Sequence, residues 1–398
     1  MKVDIIQLAS QIPQSPKVAQ GRGGWMDWGK GNDYPQGLAE MVNFSPTHQA
    51  IIKTKARLTA GTGFTGLPEV DEFNRTRGES LDNILTKIGA DEVTFGGFAL
   101  QIIWSKGMIN GGFRITEIHH MDFSNVRLSS PDKETGKIGA VYISKDWAVN
   151  SPITQRVPLY NPDTAAIEPL QILYVQQYTP GQNVYPSPDY SSAINYINLD
   201  YEISKFHLNY VANGMTPGLA VMVPEIPNDE ERAQLKRDLQ NRYTGTDNAG
   251  RIMVFFGNDE NSMPKIQDIA SGASSDIYNT LNDITAQKII TAHRLVSPVL
   301  AGLPGAGGIG STGQEIATAH EIFLKTVIEP SYQQPIILAF EMLFLQNGVN
   351  VELGIENKKP IQNIFSESLL ADIATDDELR EMAGLPPLSE IQKLPPLV

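Results

Sequence analysis

Apolar residues recur three and four positions apart in two stretches of the first hundred residues, which is the spacing of one helix face. Residues 45–59 carry Ile51, Ile52, Ala56 and Leu58 on this spacing. Ser45 followed by a proline predicts where this helix begins, because serine caps helix ends and proline suits the first turn. Residues 81–95 predict a second helix, with the apolar set Leu81, Ile84, Leu85, Ile88 and Val93.

Between residues 96 and 175 the apolar positions form short runs and alternations, which indicate strands. Turn residues separate the runs, and Asn110-Gly-Gly predicts a hairpin between the first two. We therefore expect an antiparallel, mostly local sheet flanked by the two helices, an α+β arrangement. The runs begin at Phe98, Phe113, Val126, Val141 and Leu173.

Two longer stretches, 191–213 and 275–296, again have helical spacing and lie either side of a compact insert. The insert holds apolar runs at 219–223, 252–256 and 265–269 and a charged helical pattern at 228–243. This order predicts a small βαββ-like module carried between two helices. The expected apolar faces are Ile194, Ile197, Tyr201, Leu208 and Val211 on the first helix and Ile277, Leu281, Ile284 and Ile290 on the second.

The last hundred residues predict a glycine-rich loop, further helices and one strand. Residues 300–313 are nearly all glycine, proline and small residues, and 314–328 are helical as far as Pro330. We expect a core helix over 331–346, a strand over 349–353 and a last helix over 376–383. At the other end, residues 1–35 predict a loop or arm, whose Trp25 and Trp28 we expect to pack on the chain's own core.

Composition narrows the class of protein. The 398 residues include no cysteine, which excludes a disulfide framework and thiol-based metal or redox sites. The net charge of −14 argues against a protein that binds nucleic acid tightly by neutralising its phosphates. No secretory signal is visible and no apolar run reaches transmembrane length, so we expect a soluble protein without a membrane partner.

The segment Gly305-Ala-Gly-Gly-Ile-Gly310 matches the G-x-G-x-x-G pattern of dinucleotide sites and the first part of a phosphate-binding loop. Ser311 stands where the phosphate-binding lysine would be, and a long helical pattern rather than a strand precedes the loop. These departures favour a flexible loop between two helices. A nucleotide-binding enzyme that uses the loop is kept as an alternative hypothesis.

The six histidines give no metal-binding pattern. His119 and His120 are neighbours on a predicted strand and must point to opposite faces. We expect His207, His293 and His320 to be isolated on helices, either solvated or with their hydrogen bonds satisfied. Since no G-x-S-x-G elbow and no thiol is present, we expect no catalytic residue, no metal and no cofactor.

Basic residues concentrate in the insert and in the helices that flank it. Acidic residues are interleaved with them, so a solvated face is the plain interpretation. The functional alternative is a set of basic rings or a docking face for a partner. These positions are Lys205, Arg232, Lys236, Arg237, Arg242, Arg251, Lys265, Lys288 and Arg294.

Six segments, taken in order, resemble one known family. They are Phe95-Gly-Gly-Phe-Ala-Leu-Gln-Ile, Ile118-His-His-Met-Asp-Phe-Ser-Asn-Val-Arg-Leu, Tyr185-Pro-Ser-Pro-Asp-Tyr-Ser-Ser-Ala, Tyr210-Val-Ala-Asn-Gly-Met-Thr-Pro-Gly-Leu, Asp247-Asn-Ala-Gly-Arg-Ile-Met-Val, and the run from Ile289 through Val299-Leu-Ala-Gly. The set is similar to the portal (head–tail connector) proteins of tailed bacteriophages over residues 31–388. Tyr185-Pro departs from the family's usual Tyr-Gly, and the chain is short for the family.

The resemblance implies a ring, usually of twelve subunits, at one vertex of a capsid. It implies a wing over 1–190, a first stem helix over 191–214, a clip over 215–272 and a second stem helix over 273–297. A tunnel loop and the helix after it would occupy 298–330, and 331–398 would form the wing return and a short helical crown region or tail.

The resemblance also implies function. The ring would be the channel for packaging and ejection of double-stranded DNA, and the docking platform for the terminase large subunit and head-completion or adaptor proteins. It would contact the major capsid protein or scaffold, in the virion and, during assembly, in the host cytoplasm. An acidic protein suits this role, because tight binding would stall the DNA. The loop residues expected to face DNA are Gly302, Gly305, Gly307, Gly308, Gly310, Ser311 and Thr312. Another structural phage adaptor is the remaining alternative.

Overall fold

The computed structural model describes residues 19–20, 23–68, 79–109, 111–149, 151–182, 184–212, 220–223, 253–256, 274–303 and 313–357. Helices and strands are mixed along these ranges, as expected. Within them, no helix combines the length and the apolar composition that crossing a membrane requires.

The described part of the first hundred residues contains three α-helices. They are α1 (Tyr34–Phe44), α2 (Pro46–Ala60) and α3 (Leu81–Phe95). The predictions for α2 and α3 are confirmed, and the Ser45 side chain caps α2 by accepting a 3.1 Å hydrogen bond from the His48 amide. Helix α1 was not predicted, although its buried residues Tyr34, Leu38 and Met41 are three and four apart.

The strands of residues 96–176 form two antiparallel sheets rather than the one that was expected. In the first, β4 (Gly97–Trp104) lies between β5 (Ile115–Met121) and β9 (Leu170–Gln176). In the second, β7 (Ala140–Ile143) lies between β6 (Val126–Leu128) and β8 (Gln155–Pro158). A short 3-10 turn at Phe123–Asn125 separates β5 from β6, so β6 leaves the first sheet.

The unpredicted strand β8 holds Gln155, Arg156, Val157 and Pro158, which show no clear alternation. It is the edge of its sheet, where a proline without an amide donor is tolerated. Three short strand pairs complete the sheets. They are β1 (Ala19–Gln20) with β2 (Met26–Asp27), β3 (Phe64–Thr65) with β12 (Gly354–Ile355), and β10 (Ala220–Val223) with β11 (Met253–Phe256).

Strand β4 is covered on both faces. Its alternate residues Phe98, Leu100 and Ile102 pack into one apolar core with α3 and the helix at Gln334–Gln346, while Ala99 faces a second core. At its start the backbone of β9 comes very close. A Cβ on Gly97 would lie 2.6 Å from the carbonyl oxygen of Val175, so this position of the resembling segment requires glycine.

Both tryptophans of the first 35 residues pack on the chain itself, as expected. Trp28 has no exposed surface and stacks on Tyr185 with ring centroids 4.4 Å apart. Arg127, from the resembling Val-Arg-Leu segment, is buried nearby, and its Nη2 donates a 2.7 Å hydrogen bond to the Asn32 carbonyl. Burial lowers the pKa of the Arg127 guanidinium to about 10.

The two helices around the insert are α4 (Ile194–Ala212), which a 3-10 turn at Asp189–Ala193 precedes, and α5 (Ser274–Ala292). Tyr190 of that turn stacks on His293 just past α5, with ring centroids 5.0 Å apart, so the start of α4 lies beside the end of α5. The helices pack against each other and run antiparallel. Two of the predicted face residues are nevertheless exposed, Leu208 by 69% and Ile284 by 43%.

Strands β10 and β11 of the insert pair in parallel. Parallel neighbours need a crossover connection of a dozen residues or more, which agrees with the predicted strand–helix–strand order. The predicted helix at 228–243 and strand at 265–269 lie outside the described residues.

Pro330 does not end a helix, so that prediction is wrong. Helix α6 (Gly313–Phe323) continues through a π-helical segment at Leu324–Gln333 into α7 (Gln334–Gln346). Proline breaks an α-helix because its ring meets the carbonyl four residues earlier and it donates no hydrogen bond. The π segment bonds residues five apart, as from the Gln334 amide to the Glu329 carbonyl, and the chain stays helical across Pro330.

The predicted strand at 349–353 is also wrong, since strand pairing begins at Gly354, one residue after the predicted strand ends. The Leu353 amide donates to Oε1 of Glu341 on α7, at 3.0 Å, instead of to a neighbouring strand. Helix α7 buries Ile336, Phe340 and Phe344, which confirms that it is a core helix. The predicted last helix at 376–383 lies outside the described residues.

Candidate functional site

A polar cluster is buried where α2 meets the start of α4 and the π segment. The Lys55 side chain has no exposed surface, and its Nζ donates hydrogen bonds to Oδ2 of Asp189 at 2.7 Å and to the Tyr332 hydroxyl at 2.6 Å. The Tyr332 hydroxyl also donates to Oδ2 of Asp189. The three side chains therefore close a triangle that joins three separate elements.

Burial sets the electrostatics of this triangle. It lowers the pKa of the Lys55 ammonium, and the neighbouring Asp189 carboxylate opposes that shift. Burial likewise raises the pKa of the Tyr332 hydroxyl well above its usual range, and the negative Asp189 adds to the effect. The tyrosine stays neutral and can therefore donate to the carboxylate.

Two histidines form a second buried contact beside the triangle. Nδ1 of His48 on α2 lies 2.9 Å from Nε2 of His293, just past the end of α5. Burial and the nearby Lys55 ammonium hold the pKa of His48 at about 3 and the pKa of His293 well below its usual value. Both rings are therefore neutral, so one ring nitrogen donates and the other accepts.

A third contact ties α4 to the cap of α2. The Ser45 hydroxyl donates a 2.5 Å hydrogen bond to Oδ2 of Asp200 on α4 while it accepts from the His48 amide. We call these residues together the junction cluster: Ser45, His48, Lys55, Asp189, Asp200, His293 and Tyr332. It fixes the root of the α4–α5 pair on α2 and on the π segment.

The junction cluster was not predicted, and His293 corrects an expectation. His293 is not isolated but pairs with a histidine 245 positions earlier in the chain. A signal was present in the sequence, because His48 and Lys55 lie three residues before Ile51 and three after Ile52. Helical spacing therefore puts both on the buried face of α2. Their partners come from elements distant in sequence, which spacing does not reveal.

His119 and His120, which are neighbours in sequence, were predicted to point to opposite faces of a strand. His119 and His120 lie on β5 and take different partners. Nε2 of His119 is 2.8 Å from Oε2 of Glu117, and Nε2 of His120 is 2.8 Å from Oδ2 of Asp91. As neighbours on a strand, the two side chains point to opposite faces of β5.

Of the residues expected to face DNA, the structure describes only Gly302. It ends a 3-10 turn at Pro298–Ala301 with a φ of 71°, a left-handed conformation that favours glycine. Helix α5 and this turn therefore precede the loop. A dinucleotide-binding loop would instead follow a strand. Gly305, Gly307, Gly308, Gly310, Ser311 and Thr312 lie outside the described residues.

Three of the candidate basic residues are described. Lys205 on α4 lies 3.9 Å from Oε1 of Glu202, and Lys288 is exposed on α5. Arg294 follows α5 with a φ of 57°, and its Nη2 donates to the Thr326 carbonyl of the π segment at 3.4 Å. The remaining candidates, Arg232, Lys236, Arg237, Arg242, Arg251 and Lys265, lie outside the described residues.

Comparison with known proteins gives two sequence relatives. The chain is 26% identical to the probable portal protein of Haemophilus phage HP1 (strain HP1c1) over 168 residues, which are 39% of this chain and 48% of the relative. It is 23% identical to the probable portal protein of Escherichia phage P2 over 214 residues, which are 52% of this chain and 60% of that protein. The chain thus matches about half the length of these curated relatives.

Solved structures share the fold over most of the chain. A chain from the virion of a native gene transfer agent particle aligns with a TM-score of 0.53 and 17% identity, over 94% of this chain and 97% of that one. A chain from the neck of the native particle, computed with C12 symmetry, aligns with a TM-score of 0.51 and 16% identity, over 94% and 97% respectively.

A family model matches more than half of the chain. The model is that of the phage portal protein, and it covers residues 84–384. The matched range contains strand β4, the α4–α5 pair with its insert, and the glycine-rich loop. The chain therefore belongs to the phage portal protein family.

Proposed function

We propose that the protein is a non-enzymatic portal subunit, which assembles as a ring at one capsid vertex. The ring is the channel through which double-stranded DNA is packaged and ejected. It also docks the terminase large subunit during packaging and the head-completion or adaptor proteins afterwards. The ring also contacts the major capsid protein or scaffold, and it assembles in the host cytoplasm.

The α4–α5 pair is the observation that carries this proposal. Each helix has 19 residues, so each is about 28 Å long, and the two run antiparallel from one buried root. The junction cluster holds that root against α2 and the π segment. Such a pair can carry the insert away from the body of the subunit, as a stem carries a docking module.

We propose for this chain the division that its resemblance to the family implies. Residues 1–190 form the wing, 191–214 and 273–297 the two stem helices, and 215–272 the clip that docks partners. Residues 298–330 form the tunnel loop with its following helix, and 331–398 the wing return and a short crown region. A subunit number of twelve is supported by the C12 symmetry with which the structurally similar gene transfer agent neck was computed.

Charge supports weak contact with DNA. The chain carries a net charge of −14, so a ring of twelve would repel phosphate over most of its surface. We assign the contact that remains to the loop residues 302–312 and to basic positions such as Lys288 and Arg294. A few salt-sensitive contacts guide DNA without stopping its movement.

Deleting residues 305–310 tests the channel role. The deletion leaves α5 and α6 unaltered, so rings should still assemble, but particles built with the variant should retain less DNA. The measurement is nuclease-protected DNA per particle, beside the yield of rings from purified protein. Normal amounts of protected DNA would remove the assigned role from the loop.

A matched control removes three residues from another surface loop. Residues 133–135 lie in an exposed turn between β6 and β7, where a short deletion should be tolerated. This variant should assemble and package as the unaltered chain does. If both deletions reduce protected DNA equally, the effect belongs to the subunit's stability and not to the loop.

A further inference from the structure

The two buried histidines of the junction cluster join the end of α5 to α2. Neither His48 nor His293 has any exposed surface, and their ring nitrogens Nδ1 and Nε2 lie 2.9 Å apart. Tyr190, from the turn before α4, packs on both rings, with its centroid 4.6 Å from that of His48 and 5.0 Å from that of His293. The contact is therefore enclosed by α2, by the end of α5 and by the turn before α4.

A hydrogen bond between two buried imidazoles cannot easily accept an added proton. One nitrogen of the contact donates and the other accepts, so a proton on the acceptor would direct two N–H groups at each other. The remaining nitrogens, Nε2 of His48 and Nδ1 of His293, are buried, and the described part of the chain offers neither of them a hydrogen-bond partner. A proton added there would bury a charge without an acceptor, which is costly. Protonation at either position therefore opposes the closed contact.

The charged groups around the pair do not offset such a proton. Burial lowers the pKa of both histidines, to about 3 for His48, and the Lys55 ammonium two turns along α2 adds to the shift. Oδ2 of Asp189 already accepts hydrogen bonds from Lys55 and Tyr332. The titratable and charged groups on the elements packed around the pair are Lys55, Asp189, Tyr190, Asp200, Arg294 and Tyr332.

The histidines of the first sheet have the opposite surroundings. Nε2 of His119 lies 2.8 Å from a carboxylate oxygen of Glu117, and Nε2 of His120 lies 2.8 Å from one of Asp91. A proton on either ring puts a positive charge beside a carboxylate, which strengthens the hydrogen bond. Acid therefore acts differently on the junction and on the sheet.

From this geometry we infer that the His48–His293 contact is an acid-sensitive latch, which releases the end of α5 from α2 below neutral pH while the sheets stay folded. Such local opening without global unfolding is a general property of folded proteins. Arg294 follows the latch directly, and the turn at Pro298–Ala301 then leads to the glycine-rich loop. An open latch therefore frees the root of that loop. The inference does not depend on ring assembly.

Amide hydrogen exchange of the whole protein, followed by mass spectrometry at pH 7.5 and pH 5, tests the latch. The amides of His293 and Leu295 donate to the carbonyls of Ile289 and Ile290, so they exchange slowly while the latch is closed. A released histidine with its ordinary pKa near 6.5 binds a proton at pH 5, so we expect protection of residues 289–295 to fall by about 30-fold or more between the two pH values. This protection is corrected for the intrinsic effect of pH on exchange. Protection of β4, which is paired on both sides, should fall much less.

Two variants link the response to the histidines. The double variant His48→Gln, His293→Gln should lose most of the difference between the two pH values in residues 289–295. His207→Gln changes an exposed histidine of α4, so this matched control should keep the difference.

Three outcomes overturn the inference. Equal loss of protection in residues 289–295 and in β4 would show that the fold opens as a whole, and unchanged protection of residues 289–295 would show that the latch stays closed in acid. A double variant that responds to acid as the unaltered chain does would show that other groups cause the opening. The comparison of α5 with β4 is made within the unaltered protein, so it decides the question even if the double variant fails to fold.

Discussion

At the scale of single residues, Lys55 shows how the junction is held together. A fully buried ammonium is stable only beside partners that replace its lost water, and Asp189 and Tyr332 are those partners. Since they come from two other elements, the same hydrogen bonds that satisfy Lys55 also fix the geometry of the junction. Removing one partner should therefore lower the free energy of unfolding by more than breaking an exposed ion pair does.

Asp189→Ala tests the strength of the triangle. The change leaves the Lys55 ammonium buried without its carboxylate, and we expect the free energy of unfolding to fall by about 3–5 kcal/mol. Chemical denaturation measures the loss. Glu329→Gln is the matched control, because it breaks the exposed pair with Lys325, at 2.8 Å, and should change stability little. Equal effects of the two changes would contradict the account of the triangle.

The His48–His293 pair makes stability depend on pH. Both pKa values are depressed in the folded protein, to about 3 for His48, whereas unfolded histidine titrates near 6.5. Between these values the unfolded chain binds more protons, so the free energy of unfolding falls as the pH drops from about 6.5 towards 3. Well above pH 6.5 the pair is neutral in both states and its contribution is constant.

The double variant His48→Gln, His293→Gln isolates this effect. The double variant and the unaltered protein contain the same carboxylates. One of them is the buried Glu92, whose raised pKa makes the fold more stable as the pH falls. Subtracting the stability changes of the two proteins therefore cancels the contribution of the carboxylates. Urea denaturation at pH 7.5 and at pH 5 should show a smaller loss of stability for the double variant. If both lose the same stability on acidification, the histidines are not neutral in the fold.

At the scale of elements, the π segment explains how one helix passes a proline. Pro330→Ala should change the free energy of unfolding by less than about 1 kcal/mol, because the wide turn already accommodates the ring. Thr318→Pro, at an exposed position inside α6, should cost about 3 kcal/mol or more. Chemical denaturation compares the two. If Pro330→Ala raised the free energy of unfolding by about 3 kcal/mol, the proline would be straining the helix.

The elements also show what the sequence could and could not predict. Helices α2 and α3 were predicted within a residue, because their caps and apolar spacing agree. The split into two sheets was not, since the choice of partner for β6 depends on a three-residue turn and not on strand pattern. The junction cluster was missed because its bonds join residues up to 277 positions apart. The helical spacing of Lys55 from Ile52 indicated only that its side chain lies on the buried face of α2.

At the scale of the whole molecule, an acidic subunit and a DNA channel are compatible. A conduit must let DNA slide, so repulsion over most of the wall with few basic contacts is preferable to a uniformly basic wall. The junction cluster holds the root of the α4–α5 pair against α2 and the π segment. In the proposed ring, we expect it to give this pair the same direction in every subunit.

Single-particle imaging of the purified protein tests the central claim most directly. We expect closed rings with a central channel, and twelve chains of 43.7 kDa would give a particle of about 524 kDa. The α4–α5 pairs should line or flank the channel. If only monomers or dimers are seen at high protein concentration and across a range of salt, the proposal that this chain forms a portal ring is contradicted.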